Sequence, residues 1–405
     1  MLATIFSLGL GLGTGHAGAG KENGWTMGMS PEELLLREKL IEGNSSFALD
    51  LYDKLGPQGN LFFSPYSISS ALAMTYAGAR ENTEKEMKEI LHFQMTRADL
   101  HKTFKNLNWE LQGKAEVPGG KLSIANALIL TGGDVNKEFK EFLKDSYDAE
   151  ISSGDLAAIN NWVNKKTEGK IDKILEYLDP NSVCVILNAI YFKGAWETPF
   201  EKRNTRDNNF RVSTSEQVKV PFMYQKGKFK TMADKDFQAI LIPYAWKAQS
   251  MVILLPQTID GLAALEKQLT EQSLKGWLAK LDSQRGQSID LYLPKFRLET
   301  RYDLVLPVKK MGMKAAFAPG EADFSGMGWP QGKLWISQIV HKAFVEVSEE
   351  GTEAAAATVV EMATKSALAR DNPVFRADHP FFFIIRDNEN GTILFMGRVA
   401  NPKVK

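Results

Sequence analysis

Cysteine is almost missing from this sequence. Cys184 stands alone among 405 residues, so no intramolecular disulfide can form and cysteine usage does not decide the compartment. It lies in the apolar run VCVILNAIYF, where a cysteine acts as a small buried hydrophobe. Histidine is scarce too, at five. HExxH, CxxC, GxSxG and GxxxxGK followed by Ser or Thr are all missing. That leaves no motif for a metal centre, an acyl-transfer nucleophile or a nucleotide, and the chain is expected not to be an enzyme, with no cofactor. Neither sign of charge dominates: 49 basic residues face 49 acidic ones without a long run of either. Nothing therefore points to nucleic acid or an anionic membrane surface as a partner. There is no Pro/Gly/Ser-rich linker and no internal repeat, so one large domain is expected despite the length.

Long hydrophobic runs are lacking as well. The apolar segment 2–12, LATIFSLGLGL, is too short to span a bilayer. Small residues follow it, with Gly15-His16-Ala17 as a cleavage site, so it reads as a secretory leader although the first basic residue is Lys21. The expected organisation is a signal peptide over 1–19, an extension over 20–41 and one domain over 42–402. The expected location is extracellular, or cytoplasmic if the apolar segment is not a leader.

Local signals alternate between helix and strand, which makes an α+β fold. Ser30, Pro31 and Glu33 form a helix start with a capping box, and a second helix is read over Ser45–Leu55. Ser64 and Ser67 precede a buried helix and serve as caps. Thr83 and Glu86 read as another capping box. Strands are expected over Lys121–Thr131, Val183–Phe192, Ile289–Leu298 and Leu334–Glu350. Val183–Phe192 is apolar throughout except for Asn188, as a strand buried on both faces should be. A hairpin is expected about Asn390-Gly391 with a type I′ turn.

One stretch fits two conformations. Glu349–Ser366 reads EEGTEAAAATVVEMATKS. Its alanines favour a helix. Its parity favours a strand, because Thr352, Ala354, Ala356, Thr358, Val360 and Met362 share one side while Glu353 and Glu361 fall on the other.

EEGTEAAAAT resembles the hinge of the reactive-centre loop of serpins, the serine protease inhibitor superfamily, and FRADHPFFFIIRD (375–387) resembles that family's C-terminal signature. The likeness runs from about Glu42 to Pro402. It implies a serpin fold with three β-sheets, about eight or nine helices and an exposed reactive-centre loop over about 350–372. It also implies a monomer that traps serine proteases. The protease acylates the loop, which then inserts as a strand into the central sheet, behaviour already established for that family. The matching hinge residues are Glu349, Glu350, Gly351, Thr352, Glu353, Ala354, Ala355, Ala356, Ala357 and Thr358. A polar cluster called the shutter matches Ser64, Ser67, Asn188 and His341. The breach, where a loop first enters, matches Trp196 with Lys295 and Glu349.

Counting fourteen residues from Gly351, as the resemblance prescribes, puts the cut at Lys365–Ser366. A lysine there implies a trypsin-like target. Met362 and Ala363, suited to chymotrypsin- or elastase-like enzymes, are secondary sites, and Arg370 is a weaker one. Heparin binding is not expected, because Lys85 and Lys88 are interleaved with Glu84, Glu86 and Glu89. The alternative is a non-inhibitory serpin acting as a carrier or chaperone-like binder. Such members usually carry bulky, charged or proline residues in the hinge, and the positions sharing the Thr352 side of this hinge, Thr352 to Val360, have none.

Overall fold

The computed structural model describes residues 28–403, apart from 117, 132, 180 and 353–371. The leader expected over 1–19 and the loop residues Glu353, Ala354, Ala355, Ala356, Ala357, Thr358, Lys365 and Ser366 lie outside the described residues.

The chain opens in α1 (Pro31–Lys54), capped by Ser30 and Glu33 as expected. It is one helix where the sequence suggested two. Gly43 within it marks close packing and not an end, since a Cβ there would stand 2.5 Å from the His92 carbonyl oxygen. A short strand, β1 (Leu61–Phe63), leads into α2 (Pro65–Gly78), buried along nearly its whole length. Next come α3 (Glu81–Ile90) and α4 (Arg97–Ala115). The capping box read at Thr83 and Glu86 is not formed. Thr83 accepts from Asp323 N and Glu86 from the amides of Lys314 and Ala315, so both are drawn to a neighbouring loop.

The middle of the chain supplies β2 (Gly120–Leu130), α5 (Lys137–Tyr147), β3 (Glu150–Ser152), α6 (Leu156–Lys166) and β4 (Cys184–Ala195). Then follow β5 (Arg206–Arg211), β6 (Gln217–Ala233), β7 (Phe237–Pro243), β8 (Gln249–Pro256), α7 (Leu262–Glu266) and α8 (Glu271–Asp282). β9 (Gln287–Pro294) and β10 (Phe296–Asp303) are separate strands, although Ile289–Leu298 read as one. Pro294 has no N–H to continue a ladder, and Lys295 is the joint. The chain closes with α9 (Val305–Met311), β11 (Ile336–Val347), β12 (Gly351–Thr352), β13 (Val374–Arg376), β14 (Phe381–Asp387) and β15 (Ile393–Val399). The β14–β15 connection is longer than a type I′ turn. Only Gly391, not Asn390, is left-handed, and Asp387 Oδ1 holds the amides of Glu389 and Asn390.

Six strands pair in the order β10-β11-β12-β4-β2-β3. The other nine are joined through β6, which pairs with β5 and β9 over most of its length and with β7 over Lys230–Ala233. Counting β6 in both sheets it serves, the described residues form three sheets and nine α-helices, an α+β fold.

The pleat of β4 explains the core. Val185, Leu187, Ala189 and Tyr191 meet Ile159 and Val163 of α6 on one face. Cys184, Ile186, Ile190 and Phe192 belong to the larger cluster on the other, which contains α2. Asn188 falls on the α2 side by parity, the one polar residue between Ile186 and Ile190.

Candidate functional site

The site is the seam between β4 and β11. These strands run parallel, paired from Ile336 opposite Cys184 to Phe344 opposite Tyr191. His341 faces Asn188 in mid-seam, and both are buried. Polar groups stay in such a place only when hydrogen-bonded. The chemistry of the donors fixes their protonation. Ser64 N can only donate, and it lies 3.1 Å from His341 Nε2, so that nitrogen accepts. Nδ1 therefore carries the proton and donates to Asn188 Oδ1 at 2.6 Å. Asn188 Nδ2 then donates to Ser67 Oγ and to Asn126 Oδ1, each at 2.6 Å. Ser64 Oγ accepts from Ser67 N and caps α2.

Ser64, Ser67, Asn188 and His341 thus meet in one network that stitches β4 and β11 to the start of α2. Burial alone pulls the His341 pKa down to about 3. Asn126 is a fifth member that the sequence reading missed. Its signal was there, an Asn inside the apolar stretch IANAL, but its partner depends on the β2–β4 register.

The upper end of the seam holds the hinge. Gly351 pairs with Ala195 and Thr352 with Gly194 on β4, while Thr352 also pairs with Val347 on β11. The first residues of the loop are therefore already in the sheet, ahead of the expectation that the loop waits outside it. Gly351 is required here. Its φ is 143°, and a Cβ would stand 2.1 Å from the Gly194 carbonyl oxygen. Thr352 is fully buried, with Oγ1 2.7 Å from Tyr244 Oη. Trp196 frames the turn, donating from N to Glu350 O at 3.0 Å and from Nε1 to Ser348 O at 2.9 Å.

Two ion pairs hold the hinge from outside. Lys295 donates to Glu349 at 2.7 Å, and Thr205 Oγ1 donates to the other carboxylate oxygen at 2.8 Å. Lys202 pairs with Glu350. Burial is the largest single influence on the Glu349 carboxyl and raises it, but the hydrogen bonds from Lys295, backbone N–H and Thr205, together with the Lys295 charge, outweigh it and leave the group below its ordinary value. The pair is partly exposed through Lys295, and a partly exposed ion pair is ordinarily worth under about 1 kcal/mol. Glu349 is instead only 4 % exposed, so Lys295→Ala, which strands a buried carboxylate with Thr205 alone, is expected to lower stability by about 1–3 kcal/mol. Urea midpoints of the two proteins check this.

The arrangement offers a slot, a strand entering it, and a polar clasp below.

The model of the family "Serpin (serine protease inhibitor)" matches residues 42–402, and the chain belongs to that family. It is 41 % identical over 390 residues to the leukocyte elastase inhibitor of Sus scrofa, covering 90 % of this chain and 100 % of that one. It is 40 % identical to Serpin B6 of Pongo abelii, covering 90 % and 99 %. The solved structure of human thyroxine-binding globulin superposes with a TM-score of 0.81 at 30 % identity, covering 91 % and 99 %. The chain is thus a protease inhibitor and not an enzyme, with serine proteases as its partners. The expectation of export is corrected by the same relatives. Leukocyte elastase inhibitor and Serpin B6 are intracellular serpins without signal peptides, which points to the cytoplasm.

Proposed function

We propose that this chain inhibits by suicide trapping, with cleavage at Lys365–Ser366 by a trypsin-like protease followed by insertion of the loop between β4 and β11. The observation that carries the reading is the hinge itself. Gly351 and Thr352 sit between the two strands while the strands remain paired below them. Once cut, a strand tethered there can continue down the seam between β4 and β11. Ser64, Ser67, Asn188 and His341 are the clasp it must part, and Trp196, Lys295 and Glu349 shape the entry.

Lysine at the cut site suits a pocket with a buried carboxylate. Incubation with trypsin-like enzymes is expected to yield a covalent complex that survives SDS gels. Lys365→Ala is expected to slow its formation by roughly 100-fold or more. Turnover to cleaved product with every serine protease tested would sink the trapping reading. Unchanged rates for Lys365→Ala would move the cut site. The names of the leukocyte elastase inhibitors favour Met362 or Ala363 as that other site, so elastase belongs in the panel.

A carrier role is the second reading. It is favoured by a cavity of about 660 Å³ between α1, α8 and the β14–β15 connection, with Leu34, Leu35, Ile41 and Leu278 in its lining. The similar thyroxine-binding globulin was solved in complex with thyroxine. Absence of any trapped complex, together with saturable binding of an apolar ligand, is the outcome that selects the carrier.

A further inference from the structure

Tyr244 lies just beyond β7, far in sequence from the loop. Its ring stacks on the Trp196 indole with centroids 4.6 Å apart and planes 8° from parallel, and meets Phe192 edge-on at 5.1 Å. Gly194, opposite Thr352 in register, makes the room. A Cβ there would stand 2.8 Å from both the Tyr244 and the Phe192 ring. The phenol is therefore fixed in place by aromatic neighbours on β4 and just beyond it. Its hydroxyl meets Thr352 Oγ1 at 2.7 Å, and the two residues are 1 % and 0 % exposed. Among the described residues each of these hydroxyls is the other's hydrogen-bond partner.

We propose that Tyr244 is the positioning residue that seats Thr352 in the seam, and that it thereby sets whether a cleaved loop inserts or is released as product. The proposal rests on the trapping reading. The seat acts before cleavage. A hinge already held between β4 and β11 spares the cleaved loop its first step, which requires an ordered backbone for few contacts. Insertion competes with hydrolysis of the acyl-enzyme, so a faster start raises the trapped fraction. Losing one hydroxyl leaves the other buried and unpaired, which shifts the seated population by about tenfold.

Tyr244→Phe tests this, because it keeps the ring and removes only the hydroxyl. The moles of inhibitor consumed per mole of trypsin trapped are expected to rise about fivefold, and hydrogen exchange over 348–352 in the uncleaved protein to quicken about tenfold. Thr352→Val should do the same. The double variant should return both readouts towards wild type, because two apolar surfaces then face each other and nothing is left unpaired. A simple loss of stability would add in the double variant and not cancel. Additive effects, or a Tyr244→Phe protein unchanged in both readouts, would overturn the proposal. A wild type that traps no protease would instead remove the trapping reading, and the exchange measurements alone would then decide whether Tyr244 seats the hinge.

Discussion

Cutting the wild-type chain within 353–371 is expected to raise its melting temperature by on the order of 10–20 °C. A nick normally acts in the opposite direction, because it adds chain freedom. Here it frees a strand whose leading residues are already in the sheet, Gly351 paired with β4 and Thr352 with both β4 and β11. Fixing the inserted backbone costs roughly 1–2 kcal/mol per residue, and a net hydrogen bond per residue returns about 1 kcal/mol. The balance falls to the side chains on the Thr352 side. Burying Ala354, Ala356, Thr358, Val360 and Met362 contributes roughly 6 kcal/mol, and each kcal/mol moves the melting point of a large domain by about 2–4 °C.

Thr352→Arg is expected to cancel the gain. Thr352 is fully buried against Tyr244, and a guanidinium there would be buried without a partner. The variant should still be cut, and its intact and nicked forms should melt within about 3 °C of each other. Paired melting curves decide the matter. Coincident curves for intact and nicked wild type would rule out insertion.

The second large effect is a loss of stability in mild acid. His341 is held at about 3 by burial, against an ordinary value near 6.5. As the pH falls below 6.5 the unfolded chain takes up a proton that the folded chain refuses. The contribution of His341 is therefore complete above 6.5 and declines as pH falls towards 3. From pH 7.5 to 5 the decline is about 2 kcal/mol. Geometry supplies the reason for the refusal, since a proton on Nε2 would point at Ser64 N–H. His101, lowered to about 4 by burial, declines in the same direction. His341→Gln isolates the share of His341. That variant should be less stable at neutral pH yet lose less on acidification, measured as urea midpoints at pH 7.5, 6 and 5. Equal slopes for the two proteins would mean that His341 does not report the seam.

Much of the seam was legible because it rests on violations of local rules. Asn188 and His341 are polar residues in runs that are otherwise apolar, and the Glu349–Thr358 composition suits a strand that must pass through a tight slot. α4 was not read, although Leu100, Phe104, Leu107 and Leu111 repeat at helical spacing after a Thr96 cap. The break at Lys295 was also written in the sequence, by Pro294. Other features depend on distance along the chain. Tyr244 meets Thr352 across 108 positions and Thr205 meets Glu349 across 144. No periodicity within a strand announces such partners, because register and sheet order create them. The seated hinge was hidden for the same reason. Composition shows that Thr352 can enter a sheet, but only the Gly194 and Val347 pairings show it there.

The seam has a consequence for crowds of molecules. Once parted, it presents two facing rows of N–H and C=O groups, and such rows accept any extended strand of small residues. Backbone carries no address, so the slot cannot tell its own loop from a neighbour's. What favours the resident is its tether, which keeps the proper strand at a high effective concentration, together with the head start of Gly351 and Thr352. Heat or acid that loosens the His341 clasp before any cut opens the slot while its own strand is still held at both ends. Each molecule can then take the loop of the next and offer its own. On the proposed trapping reading, the expected product is a head-to-tail chain, open at both ends.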